Sequence, residues 1–87
     1  MSAATKVRVT VADGWQTVAL DVTSDETVAR LKGRALATQR IGPDRADRYE
    51  VKFGGARVRD ESRTLGSLGI RTGSAFIVLS SRRRAVR

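Results

Sequence analysis

The chain begins with two segments in which apolar and polar residues alternate. Residues 7–11 read VRVTV, and residues 16–22 read QTVALDV. Alternation with a period of two places the apolar side chains on one face of an extended strand. These segments therefore predict two half-buried β-strands.

The residues between these strands predict a tight hairpin. Asp13 and Gly14 are a strong signal for a type I′ turn, which needs positive φ at both central residues. Such a two-residue turn pairs Val9 with Val18, so that the apolar residues of both strands fall on one face. A longer, bulged turn is the alternative, and it shifts that register.

The hydrophobic period changes to that of a helix in the segment that follows. One stripe with helical spacing consists of Val28, Leu31, Ala35 and Leu36. The residues predicted to face away from this stripe are Arg30, Lys32, Gly33 and Arg34. Gly33 is interpreted as a solvent-side substitution, which costs the helix about 1 kcal/mol relative to alanine.

Two residues are candidates for the N-cap of this helix. Thr23 forms a capping box with Glu26, whereas Thr27 caps the helix directly. The sequence leaves both alternatives open. The segment IGPD, residues 41–44, ends the helix and starts a polar connection.

Alternation returns in the second half of the chain. Residues 49–53 read YEVKF, which predicts a strand with Glu50 and Lys52 pointing outward. Gly54-Gly55 then turns the chain into a short strand at residues 57–59. An irregular segment follows, anchored in the core by Leu65, Leu68 and Ile70.

The last predicted strand is SAFIVLS, residues 74–80. Its alternation places Phe76 and Val78 inward, and Ile77 and Leu79 outward. The first and last strands are expected to pair in parallel, because the helix between them must cross over one face of the sheet. The fold class expected is α+β, with a mixed four- to five-stranded sheet and one helix packed on one face.

Length and charge give a single small domain with a basic end. The chain has 87 residues and a net charge of +8, and four arginines stand in its last six positions: Arg82, Arg83, Arg84 and Arg87. We expect a disordered N-terminus at residues 1–5, a domain at residues 6–80 and a flexible basic tail at residues 81–87. No apolar run is long enough for a transmembrane segment, and no signal peptide is present, so a cytoplasmic location is expected.

The composition offers little catalytic chemistry. Histidine and cysteine are both absent, which removes the most common general base and the only thiolate nucleophile. The nine acidic residues stand at predicted turns, caps and strand surfaces. We therefore expect no enzyme activity, no catalytic or metal-binding residues and no cofactor.

The order and spacing of four segments resemble ubiquitin and its relatives. These segments are LDVTSDETVARLK (20–32), IGPD (41–44), VKFGGARVRD (51–60) and RTLGSLGI (63–70). The resemblance extends from Val7 to Leu79 and implies the β-grasp fold. Fold alone does not imply function, which depends on where the sequence departs from the family pattern.

The main departure lies after the last strand. Conjugating relatives carry Gly-Gly there, whereas this sequence reads SSRRRAVR from Ser80 and has no glycine after Gly73. The resemblance therefore implies a non-conjugating member, and the same absence argues against sulfur-carrier relatives. The arginine- and alanine-rich composition is typical of bacteria. Small bacterial relatives without Gly-Gly, such as the YukD/EsaB-type components of secretion systems, are similar to this chain.

The family binds its receptors through an apolar patch on the exposed sheet face. The resemblance places Lys52 at the patch centre, with Ile77 and Leu79 beside it, Arg8 on the same face and Trp15 at the hairpin edge. This predicts a small apolar island within a basic rim. A protein partner with an apolar knob and acidic surroundings fits such a face. The alternative is that Ile77 and Leu79 are ordinary exposed apolar residues and that Trp15 lies against the sheet edge.

A second class of function is nucleic-acid binding by a basic domain with an arginine tail. Weak, salt-sensitive, nonspecific association with nucleic acid is expected from the tail, and contact with anionic lipid is a further alternative. Three of the four aromatic residues are predicted to point into the core, which leaves no stacking platform. The leading hypothesis is a non-conjugating interaction module, either an adaptor or an accessory subunit.

Overall fold

A computed structural model describes residues 4–12 and 14–80. Its strands are β1 (Thr5–Val11), β2 (Gln16–Val22), β3 (Tyr49–Phe53), β4 (Ala56–Arg57) and β5 (Ala75–Ser80). They form one mixed sheet in the order β2-β1-β5-β3-β4. Helix α1 (Val28–Thr38) packs against β1, β2 and β5 on one face, and two short 3-10 helices span Pro43–Arg48 and Gly66–Leu68.

The strand pairing confirms the register predicted from alternation. Val9 of β1 pairs with Val18 of the antiparallel strand β2 and with Phe76 of the parallel strand β5. The described N-terminal residues also extend β1 by one residue relative to the expected domain start, because Thr5 pairs with Val22. Parallel pairing of the first and last strands requires the intervening helix to cross the sheet, as expected.

The core lies between the sheet and α1. It contains the inward residues of all three central strands and the whole predicted helical stripe. Its fully buried members include Val7, Val9, Val51, Phe76 and Val78, and Leu31, Ala35 and Leu36 from the helix. Leu65 is fully buried, and Leu68 and Ile70 pack against the core, so the irregular segment anchors as predicted.

The turn type predicted for the first hairpin stays a prediction, because it rests on the backbone of Asp13. Trp15, the residue directly after the predicted turn, is in the left-handed region at φ 51°. The Trp15 N–H still donates to the Ala12 carbonyl at 3.2 Å, which closes the hairpin in the predicted register. Asp13 lies outside the described residues.

A turn with positive φ at both central residues occurs between β3 and β4. Gly54 has φ 63° and Gly55 has φ 83°, as a type I′ turn requires. Phe53 pairs with Ala56 directly across this turn. The fourth strand is therefore placed at Ala56–Arg57, rather than at residues 57–59 as predicted.

The helix ends resolve the capping alternatives. Thr27 is the N-cap, and its hydroxyl accepts the Arg30 N–H at 3.2 Å. At the other end, the Ile41 N–H donates to the Leu36 carbonyl and the Arg40 N–H to the Ala37 carbonyl, both at 3.0 Å. This pair of bonds is a Schellman motif. Arg40 takes the left-handed position usually held by glycine, at φ 62°.

The prediction that Lys32 faces away from the core is wrong. Lys32 is only 5% exposed, and its Nζ donates to the Tyr49 carbonyl at 3.0 Å. The same Nζ lies 2.6 Å from Oε1 of Glu61. These two oxygens offset the cost of removing the ammonium from water.

Candidate functional site

The face of the sheet opposite α1 is built around Ile77 of β5. Ile77 pairs with Thr10 of β1 on one side and with Lys52 of β3 on the other. Two residues earlier in β5, Ala75 pairs with Arg8. Alternation within each strand therefore brings Arg8, Lys52 and Ile77 to one face, as the sequence predicted.

The apolar residues of this face differ in exposure. Ile77 is 40% exposed, whereas Leu79 is half-buried and level with Glu50 of β3. Trp15 is 75% exposed, so it does not pack against the sheet edge. Within the described part of the chain, Trp15 and Ile77 are the two large apolar residues that are exposed.

Trp15 and Ile77 occupy different parts of the molecule. Trp15 lies beyond the paired ends of β1 and β2, at the end of the sheet where β5 also finishes, because Val11 pairs with Val78. Ile77 is level with Thr10 and lies nearer the middle of the sheet. The predicted island therefore consists of a central part at Ile77 and an end part that includes Leu79 and the exposed indole.

Ion pairs take up some of the charge around the apolar residues. Lys6 pairs with Asp21 at 3.1 Å, and Arg57 pairs with Glu50 at 3.3 Å. Arg8 and Lys52 have no ion-pair partner among residues 4–12 and 14–80. Within these described residues, the predicted basic rim therefore includes two cations without an ion-pair partner, one on each side of β5.

A cavity that the sequence reasoning missed lies beside Ile77. Its volume is about 390 Å³, and its lining consists of Lys52, Phe53, Gly54, Gly55, Ala75 and Ile77. Three of these residues belong to the β3–β4 turn or stand at its start, and Ala75 contributes only a methyl group. The signal for this cavity was the coincidence of Gly54-Gly55 with Ala75 in the strand register.

The backbone of the turn keeps this cavity open. A side-chain carbon added at Gly54 or Gly55 would meet nothing within 4 Å, so their glycine character follows from positive φ and not from crowding. Phe53 is held in place by stacking on Phe76, with ring centroids 4.7 Å apart. The cavity wall is therefore formed before any partner binds.

The titratable groups with shifted pKa values lie elsewhere. A hydrogen bond from the Thr23 hydroxyl lowers the pKa of Asp25, and hydrogen bonds from Ser62 lower the pKa of Asp60. Both carboxylates stand in connecting segments outside the sheet. In the described ranges, no group of three or more acidic side chains is arranged to hold a metal ion.

The predicted tail residues Arg82, Arg83, Arg84 and Arg87 lie outside the described residues. None of the helices described in residues 4–12 and 14–80 is long and apolar enough to cross a bilayer.

Several solved structures superimpose on almost the whole chain. A ubiquitin from Caldiarchaeum subterraneum has a TM-score of 0.75 at 24% sequence identity, over 95% of this chain and 96% of the other. The fold is the ubiquitin-like β-grasp. The ubiquitin-like domain of an Arabidopsis thaliana protein has a TM-score of 0.76 at 22% identity, over 98% of this chain and 86% of the other.

Sequence comparison adds nothing to this fold assignment. A designed protein based on ubiquitin has a TM-score of 0.78 at only 15% identity, over 98% of both chains. No protein-family model matches the sequence, and no curated protein sequence matches it. At these identities the β-grasp is shown as a fold, and the function has to be inferred from the surface.

Proposed function

We propose that this β-grasp domain is a non-conjugating interaction module that binds a partner protein through its exposed sheet face. The observation that carries the proposal is the position of Ile77. An exposed apolar side chain stands on the central strand, beside an open cavity and between two cations, Arg8 and Lys52, that form no ion pair with any described residue. Interfaces commonly combine an apolar centre with a polar rim.

The two cations define the chemistry of the partner. Lys52 pairs directly with Ile77 across the strands, so a purely apolar partner would have to desolvate the ammonium group. A partner that places an apolar side chain in the cavity and a carboxylate near Lys52 avoids that cost. Arg8, on the opposite side of β5, favours a second acidic residue.

The residues after β5 support a binding role rather than attachment to a substrate. Conjugation in this fold depends on a glycine pair that follows the last strand and passes through narrow enzyme channels. Here the residues that follow Leu79 are SSRRRAVR, in which no glycine occurs. We accordingly propose an adaptor or accessory subunit without enzyme activity, and we place it in the cytoplasm.

The more specific role in a bacterial secretion system rests on resemblance alone. Small bacterial ubiquitin-like proteins of the YukD/EsaB type have the same fold and lack the glycine pair. The arginine- and alanine-rich composition agrees with a bacterial source. No described residue specifies secretion, so this role is the part of the proposal that depends on the family resemblance.

Affinity capture with matched baits tests the proposed face. Wild type and the variants Ile77→Asp/Leu79→Asp and Ala37→Asp are immobilised, and captured proteins are identified and then purified for direct binding. Ala37 is exposed on α1, which lies on the opposite face of the sheet, so its variant introduces an acidic charge away from the cavity. We expect the double variant to lose a protein that the other two baits retain.

The melting temperature of the double variant decides between two explanations of a loss. If Ile77→Asp/Leu79→Asp leaves the melting temperature close to that of Ala37→Asp, the loss of capture reports on docking. Unfolding of the double variant would mean that these side chains belong to the core. Equal capture by all three baits contradicts the proposal.

Nucleic acid is the alternative partner, and salt distinguishes it. Trp15 is the one exposed aromatic residue in the described part of the chain, so a stacking platform for bases is lacking there. Charge alone gives an affinity that falls steeply with salt. A fluorescence titration with a single-stranded oligonucleotide should lose all binding near 150 mM salt. Binding that persists at that salt favours the alternative.

A further inference from the structure

A second pocket lies on the other side of the β3–β4 turn. Its volume is about 380 Å³, which is at the lower end of the range for sites that bind small ligands or single side chains. Phe53 lines this pocket as well as the cavity beside Ile77, but the remaining residues are different. The residues that matter for its chemistry are Phe53, Val58, Leu68, Arg59, Asp60 and Arg63.

The floor of this pocket is apolar and rigid. Val58 is 8% exposed, and its N–H donates to the Val51 carbonyl at 2.8 Å. Phe53 and Leu68 are half-buried and pack against the core. Because Phe53 also stacks on Phe76, an entering side chain meets a surface that is already formed.

The rim of the pocket is basic. Arg59 is exposed and has no hydrogen-bond or ion-pair partner in the described ranges. Arg63 is held in place by its own loop, because its Nη2 donates to the Ser67 carbonyl at 3.1 Å and its Nε to the Ser67 hydroxyl at 3.3 Å. The pocket thus offers one free guanidinium and one that is already oriented.

The acidic residue of the lining is already occupied. Asp60 accepts hydrogen bonds from the N–H and the hydroxyl of Ser62, and these bonds lower its pKa. The carboxylate therefore stays ionised, and it stands between the two arginines along the chain. It repels a doubly charged phosphate more strongly than a singly charged carboxylate.

We propose that this pocket binds an acidic peptide segment of a partner protein, with one apolar side chain on the floor and a neighbouring carboxylate against Arg59 and Arg63. An anion that has no apolar group gains no binding energy from the apolar floor. The basic rim disfavours a neutral peptide relative to an acidic one. This site shares Phe53 with the cavity beside Ile77 but depends on different charged residues, so either proposal can fail without the other.

Amide chemical shifts of the ¹⁵N-labelled full chain test this proposal. The probe is the tetrapeptide acetyl-Glu-Leu-Glu-Glu-amide, which carries both features. Its controls are the neutral analogue with glutamine in place of glutamate, the analogue with alanine in place of leucine, inorganic phosphate and a short oligothymidylate. We expect the probe to shift amides at residues 56–63 and at Leu68, and each control to have a weaker effect there.

Two variants with the same change in charge complete the test. Arg59→Gln should lower the affinity for the probe about two- to fivefold, the range for an exposed ion pair. Arg45→Gln, on the first 3-10 helix, should leave the affinity unchanged. The proposal is overturned if both variants bind alike, if the neutral peptide binds as well as the probe, or if phosphate or the oligonucleotide gives the larger shifts at residues 56–63.

Discussion

The Nζ of Lys32 lies 2.6 Å from Oε1 of Glu61 and joins α1 to the loop before the second 3-10 helix. The Lys32 side chain is 6% exposed and the Glu61 side chain 24% exposed. Lys32 also donates to the Tyr49 carbonyl at the start of β3. One ammonium group therefore holds together three parts of the chain that are distant in sequence.

Replacing Lys32 with methionine should destabilise the fold. The variant retains an apolar stem but removes the ammonium group that pairs with the Glu61 carboxylate and donates to the Tyr49 carbonyl. We expect the free energy of unfolding to fall by about 1–3 kcal/mol in urea titrations. Arg30→Met is the matched control, because that helix residue is 74% exposed in its ion pair with Glu26. Equal losses in both variants would contradict the structural role of Lys32.

The burial of Lys32 shows where the sequence pattern stops being informative. The helical stripe was recognised from apolar residues, so a lysine beside Leu31 was assigned to solvent. Its burial depends on Glu61, which a loop places next to the helix. The sequence around Lys32 contains no indication of that contact. The strand register, in contrast, was predictable, because alternation and a short turn constrain it within the hairpin itself.

Two glycines should respond in opposite directions to alanine. A side-chain carbon at Gly33 meets nothing within 4 Å, so Gly33→Ala should stabilise the helix by about 0.5–1 kcal/mol. At Gly66 the same carbon would lie 2.9 Å from Cβ of Ser24 and 3.0 Å from its carbonyl oxygen. Gly66→Ala should therefore lower the free energy of unfolding. Urea titrations that show the same sign for both variants would contradict this account of packing.

Trp15 and Arg40 both have positive φ, which non-glycine residues adopt at a cost. Glycine at either position should raise the free energy of unfolding by about 0.5–1 kcal/mol in urea titrations. If Trp15 belongs to the docking face, Trp15→Gly should also weaken binding of the captured partner, whereas Arg40→Gly should not. If Trp15→Gly binds the partner with unchanged affinity, the indole is not part of the interface.

We expect acid to remove the stability that two aspartates contribute. The pKa values of Asp25 and Asp60 lie below the ordinary value of 3.8 because hydroxyl and backbone groups donate to their carboxylates. Their contribution is therefore present above the unfolded-state pKa and disappears as the pH falls through the folded-state pKa. The melting temperature of Asp25→Asn/Asp60→Asn should lie below that of wild type at pH 6. The two melting temperatures should converge as the pH falls through the folded-state pKa values of the two aspartates, and a difference independent of pH contradicts the assignment.

The candidate surfaces were predictable only in part. Alternation along the strands was enough to place Arg8, Lys52 and Ile77 on one face, and the register confirms that placement. The ion pairs that neutralise Lys6 and Arg57 depend on side-chain conformation, which alternation does not specify. Both pockets depend on the β3–β4 turn, and the sequence signal for a type I′ turn pointed to the other hairpin.

Mapping the partner on the sheet tests the central claim most directly. The ¹⁵N-labelled full chain is titrated with the purified partner that the wild-type bait captures. We predict that the largest amide shifts fall on residues 75–79, with smaller shifts at Arg8 and Lys52 on the flanking strands. Shifts concentrated on α1, with residues 75–79 unchanged, would contradict the claim that this domain binds through its exposed sheet face.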